Sequence, residues 1–246
     1  MIQSVSRAIQ ILRCFENQEY LGITEIAEIT NLNKSTAFGI ISTLAAEGLL
    51  EHDAMTGRYR LGLELFRIGN MVNTATRRLV MPELTALSDL LEETVNYLRP
   101  ENGNVVYLIK KESSHSMRIC TKTGQRLPMY CTAGGKAILA YLPAEELNAT
   151  VAGFRYESYT ANTVSSEDDL RQQLEHIRQT GYAIEREELE YGLICVSVPV
   201  LNHMGYPVAA VSCSGPTARM TEEKIQQCQI ALLSCSKRLS AIIPES

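Results

Sequence analysis

Apolar positions in the first third of the chain recur at helical spacing and then switch to alternation. Val5, Ala8, Ile9, Leu12 and Phe15 lie three and four residues apart, and Ser4 is placed to cap the helix they define. Thr24 is placed to cap a second, short helix carrying Ile26, Ala27 and Ile29, which Asn31-Leu32 breaks. Asn33 then caps a third helix that turns Ala37, Ile40, Ile41 and Leu44 inward and stops at Gly48. The runs Leu49–His52 and Arg58–Leu61 flank a turn at Ala54-Met55-Thr56-Gly57 and predict a β-hairpin. From Leu63 to Val80 the composition is again helical, with Arg77-Arg78 near its end. Pro82 suits the first position of a further helix, with the face Leu84, Leu87, Leu91 and Val95.

The remainder alternates strands and helices. Strands are expected over Asn104–Lys110, Ser116–Thr121, Leu127–Cys131, Tyr182–Glu185, Ile194–Leu201 and Pro207–Ser214. Helices are expected from Ala133 to Tyr141, from Pro143, from a Ser166 cap to Gly181, and from Thr221 toward the C-terminus. Hairpins and helices mixed in this way predict an α+β fold of two domains with an antiparallel sheet in the second. No internal repeat or low-complexity tract interrupts the pattern, and the junction falls in a helical connector.

Composition changes this picture little. The chain has 246 residues, a net charge of −5 and ordinary apolar and charged fractions, which excludes a uniformly basic nucleic-acid coat. Seven scattered cysteines without a C-x-x-C pair, and an N-terminus without a signal pattern, fit a reducing cytoplasm. The uncharged stretch Tyr191–Ala218 is interrupted by Pro199, Gly205 and Pro207, so it reads as two buried strands and a turn rather than a membrane span.

Two helices with a tight turn, followed by a hairpin, make a winged helix-turn-helix pattern, whose third helix fits a major groove. Asn33, Lys34, Ser35 and Thr36 open that helix, Phe38, Gly39 and Ser42 follow on its outer face, and the hairpin offers Arg58, Tyr59 and Arg60. Over residues 1–72 six cations face eight anions, so placement rather than net charge favours DNA. A winged helix that binds protein stays open as an alternative. Farther on, Thr132-Ala133-Gly134-Gly135-Lys136 opens a helix after a strand. It lacks the spacing of a Walker loop. Its glycines serve either close ligand approach or helix–sheet packing. Catalytic chemistry is sparse. His52, His115, His176 and His203 stand at no metal-ligand spacing, there is no G-x-S-x-G elbow, and Cys195 lies in an apolar run without a sequence-adjacent His. The run Glu185-Arg186-Glu187-Glu188 reads as a hydrogen-bonded turn. An enzyme with an appended winged helix is the remaining alternative, and no metal or cofactor is expected.

The order of short motifs resembles the IclR family of bacterial transcription regulators along nearly the whole chain. The motifs are Ser4–Leu12, Leu32-Asn33-Lys34-Ser35-Thr36, Tyr59-Arg60-Leu61-Gly62, Leu127-Pro128-Met129-Tyr130, Gly135-Lys136-Ala137, Glu187-Glu188 and Cys195–Val200. The resemblance implies a winged-helix DNA-binding domain over 1–62, a linker helix over 63–80, and a GAF-like effector-binding and oligomerisation domain over 81–246. It implies a homodimer or homotetramer on double-stranded operator DNA, probing a small organic or sugar acid and regulating a catabolic operon as a repressor. Position by position it assigns the effector site to Leu127, Met129, Ala133, Gly134, Glu185, Cys195, Ser212 and Ser214. Gly39 stands where the family usually has Arg, and Tyr130 where His is common.

Overall fold

The structure, a computed structural model, describes residues 2–72, 74–119 and 121–243. The chain divides into two compact units, Met1–Thr74 and Ala75–Ser246.

The first unit contains α1 (Gln3–Arg13), α2 (Ile23–Thr30), α3 (Lys34–Ala46), the hairpin β1 (Leu50–Asp53) and β2 (Arg58–Leu61), and α4 (Leu63–Met71). Its core joins Ile11, Phe15, Leu21, Ile26, Ala37, Ile41, Leu44, Leu50 and Tyr59. Two helix starts differ from expectation. α1 begins after Ile2, so Ser4 lies inside it. α2 begins after Gly22, because the Glu25 carboxylate reaches back to accept the Gly22 N–H at 2.7 Å; Thr24 is therefore helical rather than a cap. The buried face of α1 also differs: Ile11 is fully buried, whereas Val5 and Ile9 face outward. The third helix follows its sequence signals. Asn31 adopts a left-handed conformation (φ 53°) that ends α2, and the Asn33 carboxamide oxygen accepts the Thr36 N–H at 2.8 Å. The hairpin pairs Leu50 with Leu61 and Asp53 with Arg58, and its turn uses Gly57 at φ 70°.

Residues 63–80 do not form one helix. α4 ends at Met71, Val72 is extended, and α5 runs over Thr74–Leu91. Pro82 lies inside α5 instead of starting a helix. Glu92 at φ 54° breaks the chain out of α5, and Val95, expected on its face, is already in β3 (Thr94–Glu101).

The second unit is built on a six-stranded antiparallel sheet in the order β5-β4-β3-β8-β7-β6. The remaining strands are β4 (Asn104–Lys111), β5 (Arg126–Pro128), β6 (Ala183–Arg186), β7 (Leu193–Leu201) and β8 (Pro207–Pro216). A 3₁₀ turn, Met129–Cys131, follows β5 where a longer strand was expected. The segment Ser116–Thr121 holds no strand among its described residues, and Cys120 lies outside them.

Helices cover both faces of this sheet. α5 and α9 (Glu222–Ile242) pack with Tyr97, Val196, Val198, Val211 and Cys213 on one. α6 (Ala133–Leu139), α7 (Ala144–Ala152) and α8 (Glu167–Thr180) pack with Leu98, Tyr107, Leu193 and Ala210 on the other. Because both faces are covered, β7 and β8 are nearly continuous buried runs, as their sequences read. Among the described residues no helix is long and apolar enough to cross a membrane.

Candidate functional site

In β7 and β8 the side chains alternate between the two cores, and the α6 side receives the small polar ones. Cys195 pairs in register with Glu185 of β6 and with Ser214 of β8, and Ser214 pairs with Thr94 of β3. The neighbouring row runs Ser197, Ser212, Asn96. Two polar rows thus cross the middle of the sheet. They are internally bonded: the Cys195 thiol donates to Ser214 Oγ at 3.2 Å, and Thr121 Oγ1 donates to Asn96 Oδ1 at 2.8 Å.

Above these rows lies a cavity of about 310 Å³. Its floor includes Glu185, Cys195, Ser212 and Ser214. Tyr107 and Leu127 form one wall, Thr132, Ala133 and Gly134 another, and Arg118, Ile119, Thr121 and Gln125 a third. Seven of the eight residues assigned through the resemblance therefore line one cavity. Met129 does not; it is buried in the core, its backbone pressed against Gly135. A Cβ on Gly135 would meet the Met129 Cα at 2.3 Å, and one on Gly134 would meet Leu98 Cδ1 at 2.5 Å. Packing against the Met129 backbone thus requires Gly135, whereas at Gly134, which also borders the cavity, the Leu98 side chain would have to shift.

The polar groups of the cavity are unevenly charged. Arg118 brings a cation, held by Glu112 through Nε at 3.0 Å. The irregular course of residues 116–119 carries it there, and a strand reading hid it. Glu185 is almost fully buried, and burial pushes its carboxyl up to about 7. One of its oxygens accepts the Glu188 and Leu189 N–H groups. Beside it Lys136, fully buried, forms an ion pair with Glu188 and donates to Gln173 Oε1 at 2.8 Å. The run 185–188 is only half a turn: Glu185 and Arg186 end β6, and the chain bends from Glu187 (φ 57°), whose carboxylate accepts the Gly192 N–H at 2.7 Å. No cluster of three or more metal-ligating side chains occurs among the described residues. Tyr130 is core. Its hydroxyl donates to the Glu157 carbonyl at 2.9 Å, and its ring packs on Phe154 and Tyr156.

In the first unit, Lys34, Ser35, Phe38, Gly39 and Ser42 are exposed on one side of α3, opposite Ala37, Ile41 and Leu44. Asn33 is occupied as the cap, and Thr36 is half-buried beside it. The wing differs from expectation. Tyr59 is 7% exposed and belongs to the core, stacked near His52 and bridged to Leu21, so it cannot reach a duplex. Arg58 is paired with Glu25 at 2.6 Å and Arg60 with Glu51 at 2.7 Å. Both pairs are half-exposed, and solvent screening leaves such pairs weak enough for a phosphate to displace.

Comparison with known proteins covers both units. The family described as "Bacterial transcriptional regulator IclR C-terminal" matches residues 70–241, and "IclR helix-turn-helix domain" matches residues 4–54. The chain is 36% identical over 242 residues to the HTH-type transcriptional regulator XynR of Escherichia coli, spanning 94% of this chain and 96% of that one. It is 31% identical to the regulator KdgR of the same organism, spanning 98% and 92%. The crystal structure of the Thermotoga maritima IclR superimposes with a TM-score of 0.80 at 32% identity, covering 98% of each chain.

Proposed function

The chain belongs to the IclR family of bacterial transcription regulators, and on that premise we propose that it is a cytoplasmic, ligand-responsive repressor of a catabolic operon, sensing a small hydroxylated organic or sugar acid. The cavity over the two polar rows carries this reading. Tyr107, Leu127 and Ile119 give it apolar surface, Ser212 and Ser214 put hydroxyls on its floor, and Arg118 offers a guanidinium for a carboxylate. With its carboxyl pushed up to about 7, Glu185 in its protonated form donates a hydrogen bond to a ligand oxygen without repelling a carboxylate. The effector-contacting set is Arg118, Ala133, Gly134, Glu185, Cys195, Ser212, Ser214 and Leu127, with Met129 behind it.

DNA is read by the exposed side of α3, with Lys34 at its N-terminus, while Arg58 and Arg60 exchange their carboxylate partners for phosphates. A second copy completes the reader. α4 exposes Leu63, Phe66, Ile68 and Met71 with no buried residue of its own, an apolar surface that a homodimer covers. The effector binds one arrangement better than another and so shifts the population that fits the operator.

The test is fluorescence anisotropy on the intergenic DNA upstream of the gene, against a shuffled duplex, over a salt series. Selective, steeply salt-dependent binding is expected, and Lys34→Ala should flatten the log–log slope by about one. Equal, weak binding to both duplexes would contradict the reading.

A further inference from the structure

The exposed side of α3 is unusual for a groove-entering helix. Past Lys34 it carries no charge: Ser35, Phe38, Gly39, Ser42 and Ala46 succeed one another at helical spacing. Phe38 is 52% exposed although it is a large apolar ring. Gly39 lies in the interior of a 13-residue helix, where glycine is unfavourable. Three glycines of this unit have reasons within the chain, whereas Gly69 in α4 shares the open helical setting of Gly39. Gly48 and Gly57 have positive φ, and a Cβ on Gly62 would strike the Gly48 carbonyl oxygen at 2.1 Å. At Gly39 the backbone is ordinary helix, and a Cβ would meet nothing within 4 Å. Nothing inside the domain requires the missing side chain, and on α3, unlike at Gly69, the open space lies beside the exposed Phe38 on the side that would face a groove.

Resting on the DNA-binding reading above, we propose that Phe38 is a specificity-determining residue that reads the 5-methyl group of a thymine, and that Gly39 lets the α3 backbone approach the base edges closely enough for that contact. The chemistry follows from the groove. Thymine alone presents a methyl there, and an apolar side chain is its complement. Arginine, the commonest reader of guanine, is absent from this face. Ser35 and Ser42 flank the ring with hydroxyls that suit either base of a pair. The preferred half-site therefore has an obligatory thymine under Phe38 in place of an arginine-read guanine.

The experiment uses the full-length protein and a pool of randomised duplexes. Rounds of selection yield a preferred site. Each thymine in that site is then replaced in turn by deoxyuridine, which removes the methyl and nothing else. At one thymine per half-site the wild type should lose about fivefold in affinity. Phe38→Ala should bind more weakly and be indifferent to that replacement, whereas Phe38→Leu, still apolar, should keep the sensitivity. Gly39→Ala should melt at a higher temperature than wild type yet bind the selected site about tenfold more weakly. A merely structural role for the glycine cannot give that combination. A selected site insensitive to every deoxyuridine overturns the proposal and leaves the regulator reading intact, as does an unchanged sensitivity in Phe38→Ala or undiminished binding by Gly39→Ala. A pool in which no sequence is enriched overturns both.

Discussion

Glu185 joins the register of the sheet to the chemistry of the cavity. It pairs with Cys195 across β6 and β7, lies beside the Lys136–Glu188 ion pair, and carries a carboxyl pushed up to about 7 by burial. In the unfolded chain this group ionises near 4.5. Between those values the unfolded state gives up its proton first, so stability is full below about pH 4.5 and declines as pH rises to about 7. The loss amounts to at most about 3 kcal/mol. Glu185→Gln keeps an oxygen for the Glu188 and Leu189 N–H groups but cannot ionise. Its denaturant midpoint relative to wild type should therefore rise from about pH 5 to about pH 8, and a constant difference would show that Glu185 ionises normally. Affinity for a carboxylate effector should weaken over the same interval, since the ionised carboxylate repels it. Lys136→Met leaves Glu188 buried without its cation and should cost about 3–5 kcal/mol in unfolding free energy; adding Glu188→Leu should recover much of that.

At the scale of elements, what was legible in the sequence was what local chemistry decides. α3 was legible because Asn33 caps it and its apolar residues repeat at helical spacing. β7 and β8 were legible because two-sided burial leaves an apolar run interrupted by a turn. β3 was missed because Val95 continues the spacing of Leu84, Leu87 and Leu91. What overrides that spacing is the left-handed turn at Glu92 and pairing with β4 and β8, both invisible locally. The segment Ser116–Thr121 alternates like a strand in sequence, but Arg118, Ile119 and Thr121 line the cavity instead, a placement that no local pattern announces. Tyr59 shares the wing's motif yet is core, because in a strand that faces the helices every second side chain turns inward. The exposed apolar side of α4 yields its own prediction. Phe66→Glu should shift the sedimentation of the protein from dimer toward monomer at micromolar concentration while leaving its melting cooperative; an unchanged dimer would place the interface elsewhere.

For the whole molecule, the proposed regulation requires linkage between a cavity in one compact unit and a reading helix in the other. If effector and operator prefer different arrangements, each must weaken the other by the same factor, for coupling in binding is reciprocal. A coupling of about 1–3 kcal/mol corresponds to a change of roughly 5–150-fold in either affinity. The most direct measurement titrates a panel of hydroxylated carboxylic acids into the complex of full-length protein with its selective duplex, followed by anisotropy. In parallel, binding of the active acid is measured by calorimetry with and without DNA. At least one acid should release the duplex, the duplex should weaken that acid by the same factor, and Glu185→Ala and Ser212→Val should reduce both effects. An acid that fills the cavity and leaves operator affinity unchanged would contradict this linkage.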